Sequence, residues 1–219
     1  MRKVYIYLLN TTADWEIGYI CAELNSRRFF KKDAEEISLK YVSASKETVR
    51  TMGGLTVTPD CLVDDISIAE KTVLILPGAD TWNDESNNKV LEKSIEILNA
   101  NGTVCAICGA TVALAKKGLL DHQPHTSNGK GFLEMFVPEY KGTEFYIDSP
   151  AVADKNLITA GATGSLLWTK LIIERLNVFS ENALEAWYNY FKIGKAEYFF
   201  ALMQQAGRKK TSEKLIFKK

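Results

Sequence analysis

The stretch Thr103-Val-Cys-Ala-Ile-Cys-Gly-Ala-Thr-Val-Ala-Leu-Ala115 decides the fold. An apolar, β-prone run from Val104 to Ile107 meets Cys108, and a helix of small residues follows without a spacer. This is the pattern of a strand-to-helix elbow that presents a nucleophile at the C-terminal edge of a parallel sheet. A thiol placed there faces the positive end of the following helix and its unpaired N–H groups. Both are expected to lower its pKa and favour the thiolate.

Working outward, strand and helix signals alternate. Strands are predicted over 3–9, 36–43, 71–77 and 156–160, and helices over 15–30, 87–100, 109–118, 166–176 and 180–205. Asp14 is the expected cap of the first helix. A small hairpin is expected around Gly53-Gly54, and paired strands over 143–153. Strands separated by helices of this length imply a doubly wound, mostly parallel α/β sheet with helices on both faces. One domain over 1–207 and a basic tail over 208–219 account for the 219 residues.

Lys plus Arg and Asp plus Glu number 27 each, so no charge bias points to nucleic acid or to an anionic membrane. No apolar run is long enough to span a bilayer, and a strand begins almost at Met1, where a leader would lie. Cys21, Cys61, Cys105 and Cys108 lack the density of a secreted disulfide scaffold, so a cytoplasmic location is expected.

In doubly wound sheets, sites form beyond the C-terminal strand ends. Three such ends carry chemistry-bearing residues. Glu16, after the first strand, reads either as a first-turn carboxylate suited to the helix dipole or as a buried carboxyl facing the Cys108 thiol. Gly78 and Ala79 read either as a strand-ending turn or as a source of backbone N–H for an oxyanion, together with Gly109. Trp15 and Trp82 flank these ends, to line a pocket or to pack on the sheet edge. Cys105 and Cys108 form a Cys-x-x-Cys pair. Cys105 lies inside the strand, however, and no further pair of zinc ligands stands at suitable spacing, so no metal is expected. His122, beside Asp121, suits a surface turn. His125 is the candidate base for a cysteine nucleophile.

Together these residues resemble the ThiJ/PfpI superfamily, which has the flavodoxin-like, class I glutamine-amidotransferase-like fold. The resemblance covers most of residues 3–176 and is most similar to its YdeA-type bacterial members. It rests on Ala13-Asp-Trp-Glu16, Leu74-Ile-Leu-Pro-Gly-Ala79, Ala106-Ile-Cys-Gly-Ala-Thr-Val-Ala-Leu-Ala115, Gly118-Leu-Leu120, His125-Thr-Ser-Asn128 and Leu157-Ile-Thr-Ala-Gly-Ala-Thr163. It implies Cys108 as the elbow nucleophile, Glu16 as the acidic residue touching it, and Gly78-Ala79 as part of the oxyanion site.

Three positions depart from the family pattern. Ala79 stands where a second glycine is usual, and an alanine resists positive φ. Gly109 stands where peptidase-like members carry a histidine. Asn128 stands where other members carry one, and it joins Trp15 and Trp82 as a pocket candidate. The family implies a cysteine-dependent hydrolase, either an intracellular peptidase or amidase or a glyoxalase-like enzyme. Such an enzyme takes a small-molecule or peptide substrate, works without an organic cofactor and assembles as a homodimer. The alternative is a non-enzymatic stress sensor in which Cys108 is oxidised.

Overall fold

A computed structural model describes residues 1–205. The expected basic tail 208–219 lies outside the described residues. The elements are β1 (Arg2–Tyr7), α1 (Asp14–Ser26), β2 (Ile37–Ser43), β3 (Val49–Arg50), β4 (Thr56–Val57), β5 (Cys61–Leu62), β6 (Thr72–Leu76), α2 (Asn88–Asn99), β7 (Thr103–Ile107), α3 (Gly109–Lys116), α4 (Phe132–Phe136), β8 (Ala151–Asp154), β9 (Leu157–Ala160), α5 (Ser165–Leu176) and α6 (Glu181–Ile193).

Seven strands form one sheet in the order β5-β2-β1-β6-β7-β9-β8, parallel except for β8 against β9. The central strands are apolar on both faces, as burial from both sides requires. Alternation sends Val4, Ile6, Ile75, Cys105 and Ile158 to one face, where α1, α5 and α6 cover them with Ile20, Trp168 and Trp187. It sends Tyr5, Tyr7, Leu74, Leu76 and Val104 to the other face, against Val90 and Ile97 of α2 and Leu114 of α3. The doubly wound α/β fold expected from the sequence is therefore the fold observed. Its strand order reverses between β1 and β6, where β2 lies on one side of β1 and β6 on the other. Such a switch point opens a crevice at the C-terminal strand ends.

Several boundaries differ from expectation, each for a local reason. Helix α1 stops at Ser26, because Arg27 turns left-handed (φ 54°) and frees Phe29 and Phe30 to pack near Phe179. Asp14 does not cap α1. Ala13 holds the cap position, and the Asp14 carboxylate instead accepts from Gly53 N–H at 2.5 Å, tying the hairpin of β3 and β4 to the site. The helix expected over 180–205 breaks at Gly194 (φ 77°) and resumes over 196–205. Its aromatic stretch divides accordingly: Trp187 is fully buried, whereas Phe199 and Phe200 face solvent. Over 143–153 only β8 forms, preceded by a short 3-10 turn at Thr143–Phe145.

Candidate active site

Cys108 sits between β7 and α3 with φ 56° and ψ −123°, a region that non-glycine residues avoid at a cost of about 1–3 kcal/mol. The surroundings hold it there. Its N–H donates to Ala160 O at 2.9 Å, and its carbonyl accepts from Thr111 N–H at 3.0 Å and Thr111 Oγ1 at 2.6 Å. The elbow is a strained turn, over-determined by its hydrogen bonds, that lifts the thiol clear of the sheet edge.

Glu16 is fully buried at the start of α1. Gly78 fixes both the helix and its carboxyl: Gly78 O accepts from Ala13 N–H at 2.9 Å, and Gly78 N–H donates to Glu16 Oε2 at 2.6 Å. Glu16 Oε1 has no hydrogen-bond partner among the described residues, an expensive state for a buried oxygen. The carboxyl and the thiol meet around Gly78. A Cβ added there would lie 2.6 Å from Glu16 Oε2, 2.9 Å from Oε1 and 2.8 Å from Cys108 Cβ. Only glycine permits this approach.

Burial pushes the Glu16 carboxyl above the usual carboxylate range, while the Gly78 N–H and the adjacent Cys108 thiol pull it back. Burial also pushes the Cys108 thiol up. The Asn128 amide opposes this, the neighbouring Glu16 charge reinforces it, and the Gly109 N–H opposes it weakly. The helix end was expected to depress the thiol. Partial burial beside a carboxyl outweighs it, and the net direction is upward.

Asn128 accepts from Ala162 N–H through Oδ1 at 2.8 Å, which turns its Nδ2 toward Cys108 Sγ at 3.3 Å. The amide thus contacts the thiol directly. It can donate a hydrogen bond but cannot take up a proton at neutral pH.

The structure does not bring His125, the expected base, to the thiol. His125 is fully buried, with Nε2 2.5 Å from Tyr140 Oη and Nδ1 2.8 Å from Gln123 O. Only a single bridge to Tyr146 stands where a strand was expected. His122 is exposed. Cys105 is fully buried in the sheet's packed face, and burial pushes its thiol far up.

Ala79 has φ −162°, ordinary extended backbone, so its alanine is unstrained and the anticipated conflict with positive φ does not arise. Its N–H has no acceptor among the described residues. Gly109 begins α3, where the first N–H groups have no intrahelical partner. A Cβ at Gly109 would lie 3.1 Å from Ala79 O and 3.4 Å from Trp82 Cδ1, so a side chain there would press on the turn after β6.

Both tryptophans line a cleft of about 420 Å³ with Glu16, Gly78, Ala79, Cys108 and Gly109 in its wall. Trp15 is 53% exposed. Trp82 is buried and donates Nε1–H to Pro77 O at 2.8 Å, so it both packs and lines the cleft. Met52, Phe132, Phe136 and Lys116, which the sequence did not single out, complete it. A more polar hollow of about 380 Å³ lies on the Asn128 side, lined by Tyr146, Asp148 and Thr163 among others.

The fold and this crevice define an α/β protein of the elbow-cysteine class. The DJ-1/PfpI family matches residues 2–175, and the chain belongs to that family. It is 42% identical over 207 residues to "Uncharacterized protease YoaZ" of Bacillus subtilis, covering 94% of this chain and 99% of that protein. "Uncharacterized protease YdeA" of the same organism is 32% identical over 185 residues, covering 84% and 88%. The crystal structure of a thiJ/pfpI family protein from Bacillus anthracis superposes with a TM-score of 0.90 at 45% identity, covering 93% and 96%. A DJ-1 superfamily protein from Agrobacterium tumefaciens gives 0.75 at 27% identity, covering 87% and 97%. No helix of the described residues is long and apolar enough to cross a membrane.

Proposed function

We propose that this protein is a cysteine-dependent hydrolase of the DJ-1/PfpI type that acts on a small α-oxoaldehyde in preference to a peptide. The observation that carries the reading is the buried, unpartnered Glu16 Oε1 near Cys108, with an amide, Asn128, rather than a base donating to the thiol.

Glu16 and Cys108 share one proton. As thiolate, Sγ adds to the aldehyde carbon, and the carbonyl pair moves to oxygen. The Ala79 and Gly109 N–H groups stabilise that oxyanion until Glu16 protonates it. The Glu16 carboxylate then removes the C1 proton and returns it at C2, while the C1 hydroxyl proton passes to the C2 oxygen, leaving a 2-hydroxy thioester on Cys108. Water cleaves the thioester to a 2-hydroxy acid and restores the thiol.

Amide cleavage is less well served, because the leaving amine needs a proton and Asn128 has none to give. Oxidative sensing would draw on the same thiolate, so the upward push on the Cys108 thiol does not separate the two readings, and turnover does. The four cysteines are free, which supports a reducing compartment, and we place the protein in the cytoplasm.

Turnover of methylglyoxal, phenylglyoxal and a fluorogenic peptide library tests the reading. Aldehyde hydration that disappears in Cys108→Ser is expected. Peptide cleavage faster than aldehyde turnover, or activity surviving in Cys108→Ser, would overturn it.

A further inference from the structure

The cleft above Cys108 is far larger than the reaction centre requires. At about 420 Å³ it lies within the range of pockets that enclose ligands of drug size. A two- or three-carbon aldehyde would leave most of it filled with water. Its walls come from separate segments: Trp15 from the first turn of α1, Met52 from the hairpin, Trp82 from the turn after β6, and Phe132 and Phe136 from α4.

The Phe132 and Phe136 rings lie 4.9 Å apart and form one aromatic wall. Short helix α4 follows Gly129 (φ 143°) and Gly131 (φ 87°), a path that side-chain-bearing residues resist. Trp15, Met52 and Phe136 remain 53%, 43% and 52% exposed. A ligand carrying apolar surface would remove that area from water. Apart from Glu16 at the reaction centre, the charged lining residues, Asp80 and Lys116, are of opposite sign, so the wall around the aromatic residues favours neither an anion nor a cation. Aromatic side chains placed around one point suit an aryl ring in offset or edge-on contact.

We infer that Trp15, Met52, Trp82, Phe132 and Phe136 form a subsite for an uncharged, aryl-sized body. The preferred substrates are then aldehydes bearing such a group on the carbon next to the reacting carbonyl. The inference deepens the proposed reaction and rests on it for the word substrate, but the binding claim is separable from the chemistry.

The test has two arms. In the first, the Cys108→Ala protein, which cannot form the covalent bond, is titrated with acetophenone and with acetone while tryptophan fluorescence is followed. Acetophenone is expected to saturate at concentrations at least tenfold lower, and Phe136→Ala in that background should weaken it fivefold or more. In the second, the ratio of kcat/KM for phenylglyoxal to that for methylglyoxal is expected to be tenfold or greater. It should fall at least fivefold in Trp15→Ala and in Phe136→Ala, since pocket contacts set such ratios. Equal binding of the two ketones, or a ratio that neither variant moves, overturns the subsite. Acetophenone binding without turnover of any aldehyde upholds the subsite and overturns the proposed reaction. Turnover with no preference does the reverse.

Discussion

Helix α1 buries one glutamate near each end, and the two are partnered in opposite ways. Glu23 is 1% exposed, and both its oxygens are partnered: each accepts from the Arg28 guanidinium, and Oε1 also accepts from Trp187 Nε1 at 3.0 Å. Glu16 is equally buried yet holds one N–H donor, on Oε2, and leaves Oε1 open beside a thiol. A buried carboxylate with both oxygens hydrogen-bonded ties elements together, here α1 to α6. A buried carboxyl with an open oxygen is costly to folding and can hold a proton for a neighbour. The difference lies in the partners, since burial is the same.

The largest expected effect separates the two sites by chemistry. Glu16→Gln keeps an acceptor for the Gly78 N–H but removes the proton carrier, so kcat/KM should fall by about 10²–10⁴, the usual scale for a general acid–base group. Its unfolding midpoint in urea should not fall. Glu23→Ala should do the opposite, losing about 1–3 kcal/mol as Trp187 Nε1–H is left unpaired, with turnover per folded molecule retained. If both variants lost activity at unchanged stability, the contrast between the two ends would be wrong.

Gly78→Ala comes next. Its Cβ would press on both Glu16 oxygens and on Cys108 Cβ. One of these must give way, at about 1–3 kcal/mol for overpacking. Activity should fall more than tenfold, with a matching loss in thermal stability. Normal kinetics in this variant would mean that the carboxyl and the thiol do not need their present separation.

Much of this was legible in the residues. The apolar strand runs and the Cys108 elbow specify the sheet and its cysteine-bearing edge. Glu16 and the Gly78-Ala79 turn converge on that edge because the crossovers of a parallel sheet bring them there. Asn128 stood out only as a position lacking a histidine. That its amide would turn toward Sγ depends on Ala162 N–H, a contact 34 residues away that no local pattern encodes. His125 misled because histidine is scarce in this chain. Its burial, with Tyr140 and Gln123 as partners, is set by tertiary packing. The Cys108 thiol misled as well, because the helix end is visible in sequence and the depth of burial is not. The aromatic cleft was hidden for the same reason: Met52, Phe132 and Phe136 lie on segments with no periodic signal.

A smaller effect sharpens the role of the amide. Asn128→Ala removes the side-chain hydrogen bond to Cys108 Sγ that opposes the upward shift of the thiol. Iodoacetamide alkylation of Cys108 at pH 8 should slow several-fold, since each unit of pKa costs about tenfold in thiolate. Alkylation as fast as in the unaltered protein would remove Asn128 from the site's electrostatics.

The smallest expected effect is in the pH dependence of stability, and it bears on Glu16 alone. The folded-state pKa of Glu16 lies above its ordinary value of 4.5. Between those two values the folded state binds more protons than the unfolded state, so stability falls as pH rises through the interval. Below 4.5 both states are protonated, and Glu16 differs little from glutamine. Above the interval the unfolded chain carries the free carboxylate and gains from it. Glu16→Gln abolishes that gain, so its melting temperature should draw ahead of the unaltered protein as pH is raised from 4.5 toward neutrality. Differential scanning calorimetry at matched ionic strength would resolve the trend. A melting-temperature difference that stays flat, or that reverses sign, would mean that Glu16 ionises in the fold as easily as in water. The proton assigned to it would then have to come from elsewhere.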